Sequence, residues 1–140
     1  MHVETFDLVP EEVTLVRQVR ATKEKGRLLQ LNKELSFRFE RRLGEVLLAS
    51  FGFRNVQWLN QGREHTGPES VDFFAELDAR QFGVEMKYMA KETGGISIDP
   101  AKYRAIVRLG ETFPEMRFAL LILRVDDDGR SGSAILFMSP

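Results

Sequence analysis

Polar and apolar positions alternate most clearly over residues 71–88. Residues 71–77 (VDFFAEL) and 81–88 (QFGVEMKY) read as two strands, joined by a tight polar turn over Asp78, Ala79 and Arg80. Side chains alternate across a strand, so Glu85 and Lys87 belong to one face and Val84, Met86 and Tyr88 to the other. Residues 118–125 (FALLILRV) form a nearly continuous apolar run, the pattern of a central strand covered on both faces. Shorter strand-like segments lie at 56–59 and 134–138, and residues 1–9 fit an arm or edge strand.

Helical periodicity accounts for most of the rest. Pro10-Glu11-Glu12 suits the first turn of a helix that runs through Val13, Val16 and Val19 toward Gly26, where it ends or kinks. A second helix spans 28–51, with a broad apolar face and Gly52 as its stop. A third starts at Asp99-Pro100, cap and first helical position, and runs to about 112 with Tyr103, Ile106, Val107 and Leu109 inward. The order helix, helix, strand, strand, strand, helix, strand, strand predicts an α/β sandwich with a mixed sheet.

Two positions strain this pattern. Glu40 falls near the centre of the apolar face of the second helix, between Leu43, Leu47 and Phe51, whereas Glu45 lies on the solvated side. A buried carboxylate is unfavourable without a partner, either a basic neighbour at the helix edge or a cation. In the hairpin, antiparallel pairing about residues 78–80 brings Asp72 level with Glu85 and Lys87 to within a residue or two. Two carboxylates at short range raise each other's cost of ionisation unless a cation lies between them. Mg²⁺ takes one or two carboxylates and keeps several waters, and a nearby lysine amine can orient or deprotonate such a water.

Composition narrows the possibilities. A chain of 140 residues can bury one core, and it has no cysteine, which excludes disulfides and thiolate metal sites. Two histidines, His2 and His65, are too few and too separated for a histidine-rich zinc site. The first residues lack the basic start and apolar core of a signal peptide, and no apolar run reaches membrane-spanning length, so a soluble, cytoplasmic protein is expected. Asp126-Asp127-Asp128-Gly129 lacks the spacing of a calcium loop and fits a turn. A formal charge of −1 conceals a division: residues 17–42 hold nine basic residues against three acidic ones. A basic helical segment suits a phosphate backbone, although such segments are also commonly plain solvated faces.

Asp72 followed by Glu85-Met86-Lys87 on the adjacent strand resembles the motif of the PD-(D/E)XK nuclease superfamily, which includes restriction endonucleases and Holliday junction resolvases. The likeness covers 35 to about 123, and it departs from the pattern where Val71 replaces the usual proline. A Glu-X-Lys triplet alone arises by chance in about half of chains this long, so the facing aspartate and the upstream glutamate carry the weight. The resemblance implies a restriction endonuclease-like αβββαβ core with an extra N-terminal helix, in a single domain over 1–140. Within it, 1–33 is a basic helical extension, 35–125 the core and 126–140 a C-terminal turn and strand.

The resemblance also implies a Mg²⁺-dependent endodeoxyribonuclease, with Mn²⁺ as a substitute, directed by DNA structure and not by sequence. Asp72, Glu85 and the Met86 carbonyl would ligate the metal, Lys87 would orient the attacking water, and Glu40 would hold a second metal or a bridging water. Arg38, Arg41, Arg42, His65 and Lys102 are candidate DNA contacts. The expected partners are DNA and a second copy of the chain, through the basic helices or an apolar edge over 28–35, with no membrane and no small-molecule cofactor. The alternatives are a non-catalytic nucleic-acid- or protein-binding module on the same fold, or a small structural subunit that forms a homo-oligomer, with the hairpin charges incidental.

Overall fold

A computed structural model of the chain describes residues 2–59, 71–89 and 100–138; of His2, Ala101 and Lys102 it describes the backbone only. The fold is mixed α/β, with a six-stranded sheet in the order β1-β6-β5-β4-β3-β2. The strands are β1 (His2–Asp7), β2 (Arg54–Trp58), β3 (Phe73–Leu77), β4 (Arg80–Met89), β5 (Arg117–Val125) and β6 (Ser131–Met138). Among the described strands, only β4 and β5 run parallel. Helix α4 (Pro100–Thr112) connects them, as a parallel pair requires. The mixed sheet is thus as expected, and β1 adds a first strand at its edge.

The sheet separates two apolar layers. Phe82, Val84 and Met86 of β4, Leu121 and Leu123 of β5, and Phe73 and Ala75 of β3 pack with α1 (Pro10–Ala21) and α2 (Lys25–Phe39) in the main core. Glu85 and Lys87 alternate away from this core, onto the face where they pair with Leu120 and Ile122. Helix α4 belongs to that second face, because Gly110 lies against the ring of Phe118.

Helix α4 departs from the expected orientation. Tyr103 is 61 % and Val107 42 % exposed, while Ala105 is buried and Ile106, Leu109 and Gly110 are half-buried. The small residues Ala105 and Gly110 share the inward side with Ile106 and Leu109, which lets the helix backbone approach the sheet and leaves the bulky Tyr103 outside.

Helices α1 and α2 are also divided differently from the expectation. Helix α1 stops at Ala21, and α2 begins at Lys25 because Glu24 caps it, accepting from the amides of Gly26 (2.7 Å) and Arg27 (2.6 Å). Gly26 therefore sits in the first turn of α2 and does not end α1. A five-residue π-helical segment, Glu40–Gly44, then joins α2 to α3 (Glu45–Ser50). The stop at Gly52 is as expected, with φ at +100°. Along the apolar edge over 28–35, Leu31 and Leu35 are buried in the chain's own core, Leu28 is half-buried and Leu29 is exposed.

The hairpin turn is two residues long, Asp78 and Ala79, both with positive φ, and Arg80 already belongs to β4. Such a type I′ turn matches the twist of the flanking strands. It fixes the register that matters for the site, with Phe73 opposite Val84.

Candidate functional site

Four charged residues are buried among those described: Glu12, Glu40, Asp72 and Glu85. Three of them are the carboxylates singled out from the sequence. Asp72 is 1 %, Glu85 7 % and Glu40 5 % exposed.

Asp72 sits where β3 parts from β4. Its N–H donates to the carbonyl of Val84 (3.0 Å), the residue that already faces Phe73, so two successive residues address one partner. Asp72 thus extends the contact with β4 by one bond past the last ladder pair. The Asp72 carboxylate accepts from the N–H of Met86 at 2.8 Å, and the Asp72 carbonyl accepts from Leu59 at 2.9 Å. Strand amides point along the sheet, so the carboxylate lies at the edge of β4, against the Glu85–Met86 peptide. The sequence-based register, level with Glu85 to within a residue or two, agrees with this placement.

Glu85 stands on the second face, and Lys87, half-buried, follows two residues along on the same face. Glu40 occupies the π segment on the main-core side and accepts from the Trp58 indole N–H at 3.1 Å. Trp58 is held in turn by its pairing with Phe73 and by the ring of Phe37, 5.3 Å away centre to centre. Tyr88 also faces the main core, where its hydroxyl bonds Asn32, and burial pushes its phenol well above the usual range. It therefore stays protonated and is no candidate base.

Among the described residues, no group of three or more His, Cys, Asp or Glu side chains is gathered closely enough to hold one metal ion. The structure thus brings the Asp72 carboxylate to the backbone of the Glu85-Met86-Lys87 strand, while Glu40 is bonded in the helical layer.

The basic residues divide. Arg41 is exposed, and Arg38 is exposed within an ion pair to Glu34 (3.5 Å). Arg42 is a structural residue: its Nε and Nη2 donate to both oxygens of the buried Glu12 (2.8 and 2.6 Å), and Nη2 also donates to the Asp7 carbonyl. Arg20 likewise donates to the carbonyls of Val125, Asp126 and Asp127. His65 and the side chain of Lys102 lie outside the described residues, as do residues 60–70 and 90–99.

The Glu12–Arg42 pair was not foreseen in the sequence. Its signal was an acid at the third position of a proline-started helix, which also accepts from the Val9 N–H (3.0 Å). A separate groove of about 820 Å³ opens beside the C-terminal ends of β4 and β5, lined by Arg20, Met89, Arg124 and Ile135 among others, and none of the four candidate catalytic residues lines it. No helix among the described residues is long and apolar enough to cross a membrane. Comparison with protein-family models, curated proteins and solved structures finds no match to the chain.

Proposed function

We propose that the chain is a metal-dependent DNA endonuclease with a restriction endonuclease-like core, acting at Asp72, Glu85 and Lys87. The observation that carries the reading is the Met86 amide bonded to the Asp72 carboxylate, which fixes an aspartate against the strand that bears Glu85 and Lys87. The donor chemistry is all oxygen, in a chain without cysteine, and two carboxylates with the Met86 carbonyl fit the coordination habits of Mg²⁺ or Mn²⁺. When bound, such an ion supplies Lewis-acid activation of water and neutralises charge on a phosphodiester. The chain's own part is to hold the two carboxylates rigidly on paired strands. Lys87 presents an ammonium on the Glu85 face that can orient a water or meet the phosphate. The exposed Arg38 and Arg41, with Lys33 nearby in sequence, supply the positive surface for a nucleic-acid backbone. One site cuts one strand, so cleavage of both strands implies two copies of the chain acting together.

A second reading has its own support. Glu40 is bonded to Trp58 and Arg42 is held in an internal ion pair, so two of the residues singled out for the site serve the fold, as expected of a binding module that keeps a nuclease-like frame without the reaction.

The test uses supercoiled plasmid, linear duplex, single strands and a four-way junction, each with Mg²⁺, Mn²⁺ or EDTA. Asp72→Asn is preferred to alanine because the amide oxygen can still accept from Met86 while the charge is lost. Cutting that requires the metal and disappears in both Asp72→Asn and Lys87→Ala supports the enzyme. Binding without cutting in any metal supports the module.

A further inference from the structure

We infer that Glu40 is a positioning residue and not a cation ligand: its bond to the Trp58 indole fastens the π segment to the end of β2, and β2 in turn sets the backbone of Asp72. The inference rests on the proposed nuclease reading only where it concerns how a cation is held.

The linkage can be followed bond by bond. A π segment accommodates an extra residue within a helix and shifts the direction of the side chains it carries. Here it places Glu40 over Trp58, and it places Gly44 so close to the Phe73 ring that a methyl group there would overlap it. Trp58 and Phe73 are cross-strand partners, so the segment grips β2 and β3 at the same level. The next residue of the chain, Leu59, donates to the Asp72 carbonyl, and the Asp72 carboxylate is held on its far side by the Met86 amide. Asp72 is therefore fixed between β2 and β4, and the β2 side is anchored through Trp58 to Glu40. This gives the buried carboxylate a partner and a purpose in the fold.

Trp58 is the chain's only tryptophan, so its emission reports on the contact directly. The experiment takes the full chain as wild type, Glu40→Gln, Glu40→Leu, Trp58→Phe, Asp72→Asn and the Glu40→Leu/Trp58→Phe double variant. Cation binding is read from Mn²⁺ titrations by electron paramagnetic resonance, Trp58 emission is read with and without Mg²⁺, and unfolding is read in urea by circular dichroism. Glu40→Gln is expected to shift Trp58 emission because the indole N–H then faces a neutral amide in place of a carboxylate, while saturating Mg²⁺ leaves the wild-type emission unchanged. The number of Mn²⁺ ions per chain is expected to be the same in wild type and Glu40→Gln, with affinity weakened by about tenfold as for a supporting residue. Asp72→Asn abolishes binding.

The inference is overturned if Mg²⁺ moves the wild-type emission to that of Glu40→Gln, or if the ion count falls in Glu40→Gln. If wild type binds no Mn²⁺, the metal-dependent reading fails, and the latch is decided by unfolding alone. Coupling between Glu40→Leu, which removes the acceptor, and Trp58→Phe of at least about fivefold in the unfolding equilibrium constant then supports it, and additivity overturns it. Trp58→Phe keeps a ring against Phe37, so it isolates the hydrogen bond should Glu40→Leu fail to fold.

Discussion

Replacing Glu12 by alanine removes the acceptor at the junction of β1, α1 and the π segment. Three contacts end there: Arg42 Nε at 2.8 Å, Arg42 Nη2 at 2.6 Å and the Val9 N–H at 3.0 Å. Hydrogen bonds to charged groups contribute roughly 1.5–3 kcal/mol each, and a helix-start bond about 1 kcal/mol. The Arg42 side chain is 34 % exposed and regains hydration when released, so the net loss is nearer 3 kcal/mol than the gross sum, a drop in Tm of roughly 10 °C for a chain of this size. Arg42→Ala should cost at least as much, about 3–5 kcal/mol, because it strands a carboxylate that is almost wholly buried. The order of the two effects is set by burial, not by the number of bonds removed. Urea denaturation of both single variants and the double variant gives the coupling energy, expected at about 2 kcal/mol. Coupling below about 0.5 kcal/mol, or a larger loss for Glu12→Ala than for Arg42→Ala, would refute the buried-pair account.

Other outcomes follow from single positions. Ala79→Gly should stabilise the chain by about 0.5–1 kcal/mol in urea unfolding, because Ala79 holds a left-handed φ of 63° in the hairpin turn, where glycine is unstrained. Gly44→Ala should destabilise by about 2 kcal/mol or more through overlap with the buried Phe73 ring, with partial recovery on adding Phe73→Leu; full stability would show that the π segment can slide. The backbone amides of Arg27 and Gly26 hold the Glu24 carboxyl below its ordinary value, and the Arg130 amide does the same for Asp128. A folded-state pKa below the unfolded one means stability present above the unfolded value and lost as pH falls through the folded one. Carbon-detected titration of both side chains should show the lowered midpoints, and Glu24→Gln or Asp128→Asn should flatten the acid limb of stability against pH.

Much of the candidate site was legible because strand chemistry is local. The alternation of Glu85 and Lys87 against Val84 and Met86 fixes their faces from sequence alone, and the short interval between the strands fixes which residues oppose. The position of Asp72 was legible only to within a residue or two. Its carboxylate is held by the Met86 amide of the neighbouring strand, and nothing in the residues around 72 announces that bond. Glu40 was recognisable as a carboxylate on an apolar face. Its partner was not, because Trp58 reaches it only after β2 has paired with β3. The orientation of α4 departs from its hydrophobic pattern for a similar reason. Hydrophobicity favours Tyr103 and Val107 as the inward residues, but Gly110 lies against Phe118 and Ala105 is buried, so the small residues take the inward side.

By itself the sequence determined the alternating hairpin, the buried central strand, the helical segments and the glycine stop at Gly52, because each follows from periodicity or backbone preference within a few residues. Only the tertiary structure decided which charges are structural. Arg42 lies in the basic segment and reads like its neighbours, yet a carboxylate thirty positions away holds it. Burial and partnership are properties of surfaces brought together by folding, and a linear pattern carries a residue's charge but not what that charge will meet.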